Sequence, residues 1–545
     1  MNLDISISPT RLKVMQSEIT RELLSISVAL LLTLMFNQSF IKSILPLGGW
    51  QLSLPLMALL FLLNIFICQL FSIGNFQKVW LSTLIIIAAI SQYFMQQYGV
   101  LLDKSMLINA LETDSHEVTG LLSSAMLPYF VGYLLLPLAL LFWIKPQQRS
   151  LSRSVKRYSA LLFIVVALVS GLAASQYQNF AGVFRQHRYL KHQAVPLNAL
   201  AAAVGVIQSK IAEGHPTAFI QYAEDAQIIP QANKPKLVIM VLGETLRADH
   251  LGINSYLRNT TPLLAQRDLI NFGAIDACGT ATAVSVPCLL SYLNKANYND
   301  NLAKHSDNVL DVLARAGVKV IWRNNNSGCK SMCNRVVIDH SFADNSTFDC
   351  EEGACPDMAL LHNLRQEIAQ TKNDNQPIFV VLHQQGNHGP EYYKRSEIQH
   401  KHFLPECKSN LLSECQPQHI INAYDNAIVA ADELLNSTIS LLDGLSDEFD
   451  TAMLYVSDHG ESLGENGVYL HGLPYWMAPD AQTKVPMLLW LSKSFTRRLA
   501  LNTDCISQQK GLSHDYVFNS VLSLFEVTSS SKDARLDFIW PCTLS

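Results

Sequence analysis

Basic residues are not in excess in this 545-residue sequence, which has 40 Lys and Arg against 45 Asp and Glu and a formal net charge of −5. Nothing in this balance points to a nucleic-acid partner. Cysteine is nearly missing from the first 184 residues, where only Cys68 occurs, and long apolar runs are nearly missing after residue 185. Because the chain is too long for one hydrophobic core, we expect an apolar N-terminal part and a cysteine-rich C-terminal part.

The sequence also lacks the paired C-x2-C spacing and the Cys-His knuckles of zinc clusters. The ten cysteines after residue 185 therefore favour disulfides, which form in an oxidising compartment. Connectivity does not follow from a sequence, and pairing of near neighbours is a hypothesis. The close pairs and one distant pair are Cys278/Cys288, Cys329/Cys333, Cys350/Cys355, Cys407/Cys415 and Cys505/Cys542.

Five uncharged stretches in the first part each supply the roughly 20 apolar residues that a membrane-spanning helix needs. They are Leu23–Ile41, Ser43–Gln77, Val79–Leu102, Val118–Ile144 and Tyr158–Phe184. Glycines near both ends of the second stretch limit its span to about residues 50–72. A cleaved signal peptide is not expected, because the first stretch is long and four more follow.

The orientation of these spans follows from basic residues. The loop at residues 145–157 carries Lys145, Arg149, Arg153, Lys156 and Arg157 and no acidic residue, so it is predicted to be cytoplasmic. The N-terminus is then cytoplasmic too, and everything after residue 185 lies outside the cytoplasm. The cysteines require the same placement.

The loop at residues 103–117 is on the outer side in this topology. Asn109, Glu112, Thr113 and Glu117 are spaced near one helical turn apart, which predicts a short helix at the membrane surface that faces the soluble domain. A solvated loop is the alternative.

Residues 185–235 form a bridge. The apolar spacing at residues 196–213 predicts a helix able to lie along the membrane interface, and Pro230 and Pro235 punctuate a polar linker. The predicted domains are thus residues 1–184, a membrane domain of five helices, residues 185–235, the bridge, and residues 236–545, a soluble domain.

The soluble domain alternates short apolar runs with helical stretches. The predicted strands are Leu237–Leu242, Val318–Arg323, Ile378–His383, Ala452–Ser457 and Met487–Leu491. This alternation predicts an α/β/α fold in which a mostly parallel sheet is covered by helices on both faces.

Three of these strands end in residues that bind metals. Glu244 follows the first strand and Gly243, and ligands gather at the carboxyl ends of strands in such sheets. A later strand ends in His383, with His388 in the loop after it. A third ends in Asp458 and His459.

Glu461 and His471 follow this third strand end. The mixed oxygen and nitrogen set suits Zn²⁺, while a carboxylate-rich set also suits Mn²⁺ or Mg²⁺. Any one of these residues alone is more often structural.

A hydroxyl nucleophile is expected if the chemistry is group transfer. Thr282 lies in a loop that a Cys278–Cys288 disulfide would hold, and a dication would lower the pKa of its hydroxyl. Thr280 and Ser285 are nearby alternatives. An ordinary buried strand and a structural disulfide would explain this stretch equally well.

Several motifs together resemble those of the phosphoethanolamine–lipid A transferases. These inner-membrane enzymes include the mobile colistin-resistance proteins and belong to the alkaline phosphatase/sulfatase superfamily. The motifs are GETLRADH at 243–250, NTTP at 259–262, CGTATAVSVPC at 278–288, HQQGNHGP at 383–390, SDHGESLGENG at 457–467 and YLHGLP at 469–474. The resemblance covers essentially the whole chain. One departure is Ser255, where the family usually has glycine; a positive φ there would cost a little strain.

The resemblance implies roles for individual residues. Thr282 matches the threonine that becomes modified with phosphoethanolamine. The implied zinc ligands are Glu244, Thr282, Asp458 and His459, and the implied substrate contacts are Asn326, Ser327, Lys330, His388 and His471. The two histidines would alternatively hold a second metal. Four of the close cysteine pairs agree with the family's framework, and Cys505–Cys542 would be an additional one.

The resemblance implies transfer of phosphoethanolamine from phosphatidylethanolamine to a lipid A phosphate by a zinc-dependent inner-membrane enzyme, expected to be monomeric. Modified lipid A carries less negative charge and would attract cationic polymyxins less. Transfer to core sugars of lipopolysaccharide is the closest alternative, and glycerol-phosphate transfer is a more distant one. A membrane-anchored binding or sensor protein would need no nucleophile.

Overall fold

A computed structural model describes residues 18–543 except residues 75, 113–117, 119, 214–217, 229–233, 343–347, 349, 351–354 and 372–374. Its contacts divide the chain into two compact units. One contains residues up to 96 together with 124–200, and the other contains residues 97–123 together with those from 201 onward. The predicted domain boundaries at 184 and 235 stay predictions.

The described residues up to 213 are mainly helical. The helices are α1 (Arg21–Met35), α2 (Gln38–Leu70), α3 (Phe76–Tyr98), α4 (Lys104–Glu112), α5 (Met126–Trp143), α6 (Leu151–Ser175), α7 (Tyr177–Gln186), α8 (Leu190–Gln193) and α9 (Leu197–Glu213). Helix α2 is broken at Gly48 and Gly49, where Gly49 has a φ of 59°, so its continuous apolar part begins near Trp50, as predicted.

Four described helices, α2, α3, α5 and most of α6, are long and apolar enough to cross a bilayer. Helix α1 has 15 residues, which is about 22 Å of helix, so the count of five spans stays a prediction. Glu18–Ile19 pairs with Lys145–Pro146, and Arg149 forms an ion pair with Glu22 at 3.0 Å. These contacts put both chain segments on one side of the bundle. If both segments lie on one side of a membrane, the chain between them crosses it an even number of times. Helices α2, α3 and α5 supply three crossings, so α1 would be the fourth, and α6 would then be the fifth.

A buried amide joins two distant segments of this first unit. The Asn37 side chain donates to the carbonyl of Val195 and accepts from its N–H, both at 2.8 Å. An amide that satisfies both its donor and its acceptor holds apolar helices together where the hydrophobic effect contributes little.

The second unit contains a seven-stranded sheet. Its strands are β1 (Lys236–Gly243), β2 (Ile270–Asp276), β3 (Lys319–Asn324), β4 (Val337–Asp339), β5 (Ile378–His383), β6 (Asp450–Ser457) and β7 (Lys484–Leu491), and their spatial order is β2-β7-β6-β1-β5-β3-β4. Strand β7 is antiparallel to both of its neighbours, and the other pairs are parallel. The mostly parallel sheet is confirmed.

Helices cover both faces of this sheet. Val238, Met240 and Leu242 of β1 belong to one buried cluster, while Leu237, Ile239 and Val241 belong to another, as the alternation of side chains along a strand requires. The described helices that follow β1 are α10 (Thr282–Leu290), α11 (Asp300–Lys304), α12 (Val309–Arg315), α13 (Leu364–Thr371), α14 (Pro417–Asp443), α15 (Asp480–Thr483), α16 (Lys493–Arg498), α17 (Thr503–Ser507) and α18 (Val517–Leu524). The predicted α/β/α architecture is confirmed.

The predicted short helix at residues 103–117 is present as α4, within the second unit. Glu112 forms an ion pair with Lys304 at 3.2 Å. Thr113 and Glu117 lie outside the described residues, as does Pro230 of the bridge. Helix α9 confirms the helix that the apolar spacing at residues 196–213 predicted.

Candidate active site

The first part of the site lies where two neighbouring parallel strands end. Gly243 of β1 is paired with Ser457 of β6, and the Asp458 N–H donates to the Gly243 carbonyl at 3.0 Å. Glu244 and Asp458 therefore emerge side by side. A Cβ at Gly243 would lie 2.4 Å from the Tyr455 hydroxyl, so only glycine allows this close approach of the strand ends.

Glu244, Asp458 and His459 form a buried cluster. Their ligand atoms all lie within 4.8 Å of one another, and the three side chains are fully buried. The His459 Nε2 atom is 3.4 Å from Glu244 Oε1 and 3.4 Å from Asp458 Oδ2. Two carboxylates and an imidazole that converge on one point form a typical set of zinc ligands.

The electrostatics of this cluster call for a cation. Burial raises the pKa of Asp458, and the neighbouring Glu244 carboxylate raises it further. For Glu244, burial is outweighed by the hydrogen bond and charge of His459, which lower its pKa. Asp458 Oδ2 is buried and has no hydrogen-bond partner among the described residues. A dication would satisfy this oxygen and neutralise both carboxylates, so the donor set fits a metal ion.

Thr282 lies against this cluster. Its hydroxyl oxygen is 3.2 Å from both carboxylate oxygens of Glu244 and 3.3 Å from His459 Nε2. Thr282 is also the first residue of α10, and the N-terminus of a helix attracts phosphate through its free N–H groups and its dipole. The predicted nucleophile thus stands beside the predicted ligands and at an anion-binding helix end.

The two alternative nucleophiles are engaged elsewhere. The Thr280 hydroxyl donates to the Leu473 carbonyl at 2.6 Å, and the Ser285 hydroxyl donates to the Asp458 carbonyl. Both are held by backbone acceptors, so the geometry favours Thr282.

Five disulfides cross-link the second unit, and the first of them spans the Thr282 segment. The five pairs are Cys278–Cys288, Cys329–Cys333, Cys350–Cys355, Cys407–Cys415 and Cys505–Cys542. All five pairings agree with the expectation from the sequence, and Cys68 is free and buried.

A second group of histidines and acids adjoins the first. His459, Glu461 and His471 have ligand atoms within 4.8 Å of one another. Glu461 accepts from the Tyr392 hydroxyl at 2.6 Å and lies 2.8 Å from His471 Nδ1. The ring of His388 is 5.2 Å from that of His471. Both predicted substrate histidines, His388 and His471, therefore lie beside the cluster of Glu244, Asp458 and His459.

The remaining predicted contacts follow strand β3. The Asn326 side-chain amide donates to Glu244 Oε2 at 2.8 Å and to the Gln384 carbonyl at 2.7 Å. The Lys330 ammonium donates to the carbonyl and hydroxyl of Ser327 at 2.9 and 3.1 Å. Asn326 touches a candidate metal ligand directly, while Ser327 and Lys330 belong to the same loop.

His383 has a structural position. Its Nδ1 atom is 2.7 Å from Asn324 Oδ1, its ring packs on Trp322, and burial lowers its pKa to about 4. The second strand end contributes to the site through His388 and through the loop before it.

Asp357 is a site-shaping residue for which the sequence contains no signal. Its half-buried carboxylate accepts from the N–H groups of Gln385 and Gly386, both at 2.9 Å. Gly386 has a φ of 54°, and a Cβ there would lie 2.6 Å from the Glu244 carbonyl. Asp357 thereby holds the loop that carries His388 against Glu244. No motif reveals this, because the contact joins residues about thirty positions apart.

Known proteins resemble both parts of the chain. A Sulfatase family model matches residues 236–527, and a phosphoethanolamine transferase EptA/EptB model matches residues 60–211. The solved structure of the integral membrane protein lipooligosaccharide phosphoethanolamine transferase A (EptA) from Neisseria meningitidis covers 97% of this chain and 100% of its own, with a TM-score of 0.92 and 30% identity. The sulfatase-like soluble fold is therefore shown together with its membrane part.

Relatives at the sequence level agree. Phosphoethanolamine transferase EptA of Escherichia coli K12 is 37% identical over 466 residues, 84% of either chain. Phosphatidylethanolamine transferase Mcr-1 of Escherichia coli is 38% identical over 474 residues, 85% of this chain and 86% of its own. The chain belongs to the phosphoethanolamine transferase family of the alkaline phosphatase/sulfatase superfamily.

Proposed function

We propose that this protein transfers phosphoethanolamine from phosphatidylethanolamine to a phosphate of lipid A through a covalent intermediate on Thr282. The observation that carries the proposal is the Thr282 hydroxyl, 3.2 Å from both Glu244 oxygens at the start of α10. A hydroxyl in this position serves a transferase because it stores the phosphoryl group between two acceptors.

Glu244, Thr282, Asp458 and His459 would hold one Zn²⁺ ion, since their oxygen and nitrogen donors suit this metal. When bound, the ion lowers the pKa of the threonine hydroxyl and stabilises negative charge on the transferred group. His459, Glu461 and His471 offer a place for a second ion.

In the first half-reaction, the Thr282 oxygen forms a bond to phosphorus and the bond from phosphorus to the diacylglycerol oxygen breaks. One of the two neighbouring histidines, His388 or His471, accepts the threonine proton, and the other donates a proton to the departing oxygen, so that diacylglycerol leaves as a neutral alcohol. His388 and His471 are the proton carriers, because imidazoles exchange protons near neutral pH. The N-terminus of α10 and the Lys330 ammonium attract the phosphate.

In the second half-reaction, a lipid A phosphate oxygen attacks the same phosphorus. The bond to the Thr282 oxygen breaks, and the threonine regains a proton. Asn326 and Ser327 lie in the loop beside Glu244, where they would orient the ethanolamine-bearing group. The enzyme returns to its starting state after each transfer.

Both substrates are lipids, so a bilayer location is part of the proposal. Residues 1–184 would anchor the protein in the bacterial inner membrane with a cytoplasmic N-terminus, and residues 236–545 would act in the periplasm as a monomer, joined by the bridge at 185–235. Labelling of cysteines introduced into the 145–157 loop tests this orientation: protection from an impermeant reagent in intact spheroplasts is expected, and ready labelling would invert it.

Expression in a Gram-negative host that lacks the modification tests the function. Mass spectrometry of lipid A is expected to show added phosphoethanolamine on a lipid A phosphate with wild-type protein and none with Glu244→Gln. Phosphoethanolamine on core sugars, with unmodified lipid A, would transfer the proposal to the alternative acceptor. Unmodified lipopolysaccharide throughout would contradict it.

Polymyxin tolerance should follow from the product. A phosphate capped by an amine-bearing group is less anionic, so cationic peptides bind the surface less strongly. Growth in polymyxin is expected to improve with wild-type protein and not with Glu244→Gln. Equal tolerance in both strains, despite modified lipid A in one, would separate the chemistry from the phenotype.

A further inference from the structure

A buried histidine far along the chain lies behind the site. His514 is 1% exposed and begins a short turn before α18. The segment before it runs beside the end of β2, where the Asp276 N–H donates to the Leu512 carbonyl at 3.2 Å. The proposed mechanism does not use His514, and nothing in the local sequence marks it.

The contacts of the imidazole determine its protonation. The Cys278 N–H donates to His514 Nδ1 at 3.1 Å, so Nδ1 carries a lone pair. Nε2 lies 3.0 Å from the Ser457 carbonyl, which only accepts, so Nε2 carries the hydrogen. The ring is therefore a neutral imidazole with one donor and one acceptor in use. Burial lowers the pKa of His514 to about 3, which also favours the neutral ring.

The two partners of His514 belong to opposite sides of the site. Cys278 opens the loop that ends at Thr282, and its disulfide to Cys288 ties that loop to α10. Ser457 is the last residue of β6, directly before Asp458 and His459. A rigid five-membered ring thus spans the loop of the nucleophile and the strand end of the metal ligands.

Ser285 makes a separate link between the same two elements. Its hydroxyl, one turn into α10, donates to the Asp458 carbonyl, so it has no hydrogen left for His514 Nδ1 at 3.4 Å. His383, another fully buried histidine, contacts Asn324 and joins no such elements. The position of His514 therefore differs from that of His383, whose Nε2 has no hydrogen-bond partner among the described residues.

We propose that His514 is a positioning residue that sets the distance of the Thr282 hydroxyl from Glu244, Asp458 and His459. The inference rests on the proposed function of Thr282 as nucleophile. His514 acts through two hydrogen bonds, one with the Cys278 N–H and one with the Ser457 carbonyl. Misplacement of a reacting group by about 1 Å costs roughly a hundredfold in rate, so loss of either bond should slow the phosphoryl-transfer step.

Two amide variants separate the bonds. His514→Gln retains a donor long enough for the Ser457 carbonyl, and His514→Asn retains an acceptor near Nδ1 for the Cys278 N–H. His400→Gln is the matched control, because His400 is also buried and pairs with Glu433 away from Thr282. Full-length protein in detergent or nanodiscs is assayed for diacylglycerol release from fluorescent phosphatidylethanolamine. The visible spectrum of Co²⁺-loaded protein reports the geometry of the ligands independently of turnover.

Each amide variant is expected to lose about tenfold or more in kcat, with KM within about twofold of wild type and an altered Co²⁺ spectrum. His400→Gln should resemble wild type in all three. Both amide variants within about twofold of the wild-type kcat, with an unchanged spectrum, would overturn the inference, as would failure of both to fold, which would assign His514 to core stability. If wild-type protein itself released no diacylglycerol, the proposed function would fail, while the Co²⁺ spectra would still test the geometry.

Discussion

The two ends of the paired strands β1 and β6 differ in how their buried charges are compensated. At the amino end, Lys236 of β1 is 2% exposed, and its ammonium reaches the Leu524 carbonyl at 2.7 Å and Glu526 at 2.8 Å. Arg498 completes this group through Asp450, the first residue of β6, at 3.1 Å and through Glu526 at 3.0 Å. Two cations therefore face two carboxylates.

At the carboxyl end of the same strands, the charges do not balance. Glu244 and Asp458 face histidines, of which His459 is the nearest. Within the described chain neither forms an ion pair with a lysine or arginine, and Asp458 Oδ2 has no hydrogen-bond partner there. The other oxygen, Asp458 Oδ1, accepts from the N–H groups of Thr245 and His459. A buried carboxylate oxygen without a hydrogen bond is costly, and strongly perturbed carboxylates of this kind cluster at functional sites. The paired end is structural, and the unpaired end is the candidate catalytic centre.

The largest expected effect is that of Thr282→Ala. Removal of the nucleophile should lower diacylglycerol release by about 10³-fold or more, while the paired end and the fold stay intact. Thr280→Ala is the control, because the Thr280 hydroxyl donates to a backbone carbonyl and should change kcat by less than about tenfold. Release assays that show the opposite order would reassign the nucleophile.

Lys236→Met should have the largest effect on stability. Glu526 keeps Arg498 as a partner. The variant nevertheless removes the buried ion pair with Lys236 and leaves the Leu524 carbonyl without its donor, at a cost of about 3 kcal/mol. Chemical denaturation measures the change, and kcat per folded molecule should stay at the wild-type value. A loss of kcat in folded protein would mean that the two ends are coupled.

Removal of the proposed Zn²⁺ ion should destabilise the protein through the loss of its contacts with Glu244, Asp458 and His459 at the carboxyl ends of β1 and β6. Zn²⁺ at a hundredfold excess over its Kd is expected to stabilise wild-type and Lys236→Met protein by about 2.7 kcal/mol. Asp458→Asn should lose most of this increment. Thermal melts with chelator and with Zn²⁺ provide the comparison, and an equal increment in all three proteins would place the ion elsewhere.

Metal-free Asp458→Asn protein should be more stable than metal-free wild type, by about 1–2 kcal/mol near neutral pH. Burial and Glu244 raise the pKa of Asp458 in the folded state, so the folded protein binds this proton more tightly than the unfolded chain. Wild-type stability should therefore fall as pH rises above the ordinary Asp pKa. The asparagine variant should show a flatter pH profile in chelator; a steeper one would mean that Asp458 is compensated.

The smallest expected change in stability concerns Ser255, which lies at neither end of the β1–β6 strand pair. Its φ of 70° is left-handed, as the departure from glycine suggested, so Ser255→Gly relieves strain but adds freedom to the unfolded chain. A net gain of about 0.5 kcal/mol is expected in denaturation experiments. A loss would show that the serine side chain contributes a contact worth more than the strain.

The sequence was informative where a feature is local. Apolar runs that end near Glu244, His383 and Asp458 predicted three strands of a mostly parallel sheet with metal-binding residue types at their carboxyl ends. The structure adds that these strands are neighbours. Cysteine spacing predicted the disulfides. Basic residues predicted that the N-terminus and the 145–157 loop share one side, and the contact of Arg149 with Glu22 agrees with this; the cytoplasmic orientation stays a prediction.

The sequence was silent where a feature depends on distant contacts. The edge strand β2 was missed, because Ile270–Asp276 mixes apolar, polar and glycine residues and its pairing with β7 decides its structure. His514 and Asp357 carry no motif, since each acts on a loop far away in the chain. The seven-residue strand and these two side chains became visible only through tertiary pairing.

The central claim is tested most directly by peptide mapping of wild-type protein quenched during turnover with phosphatidylethanolamine. Tandem mass spectrometry is predicted to find the phosphoethanolamine group on Thr282, within the peptide bounded by Cys278 and Cys288, and to lose it when lipid A is added. A modification on any other residue, or diacylglycerol release with no modified peptide at all, would contradict the account.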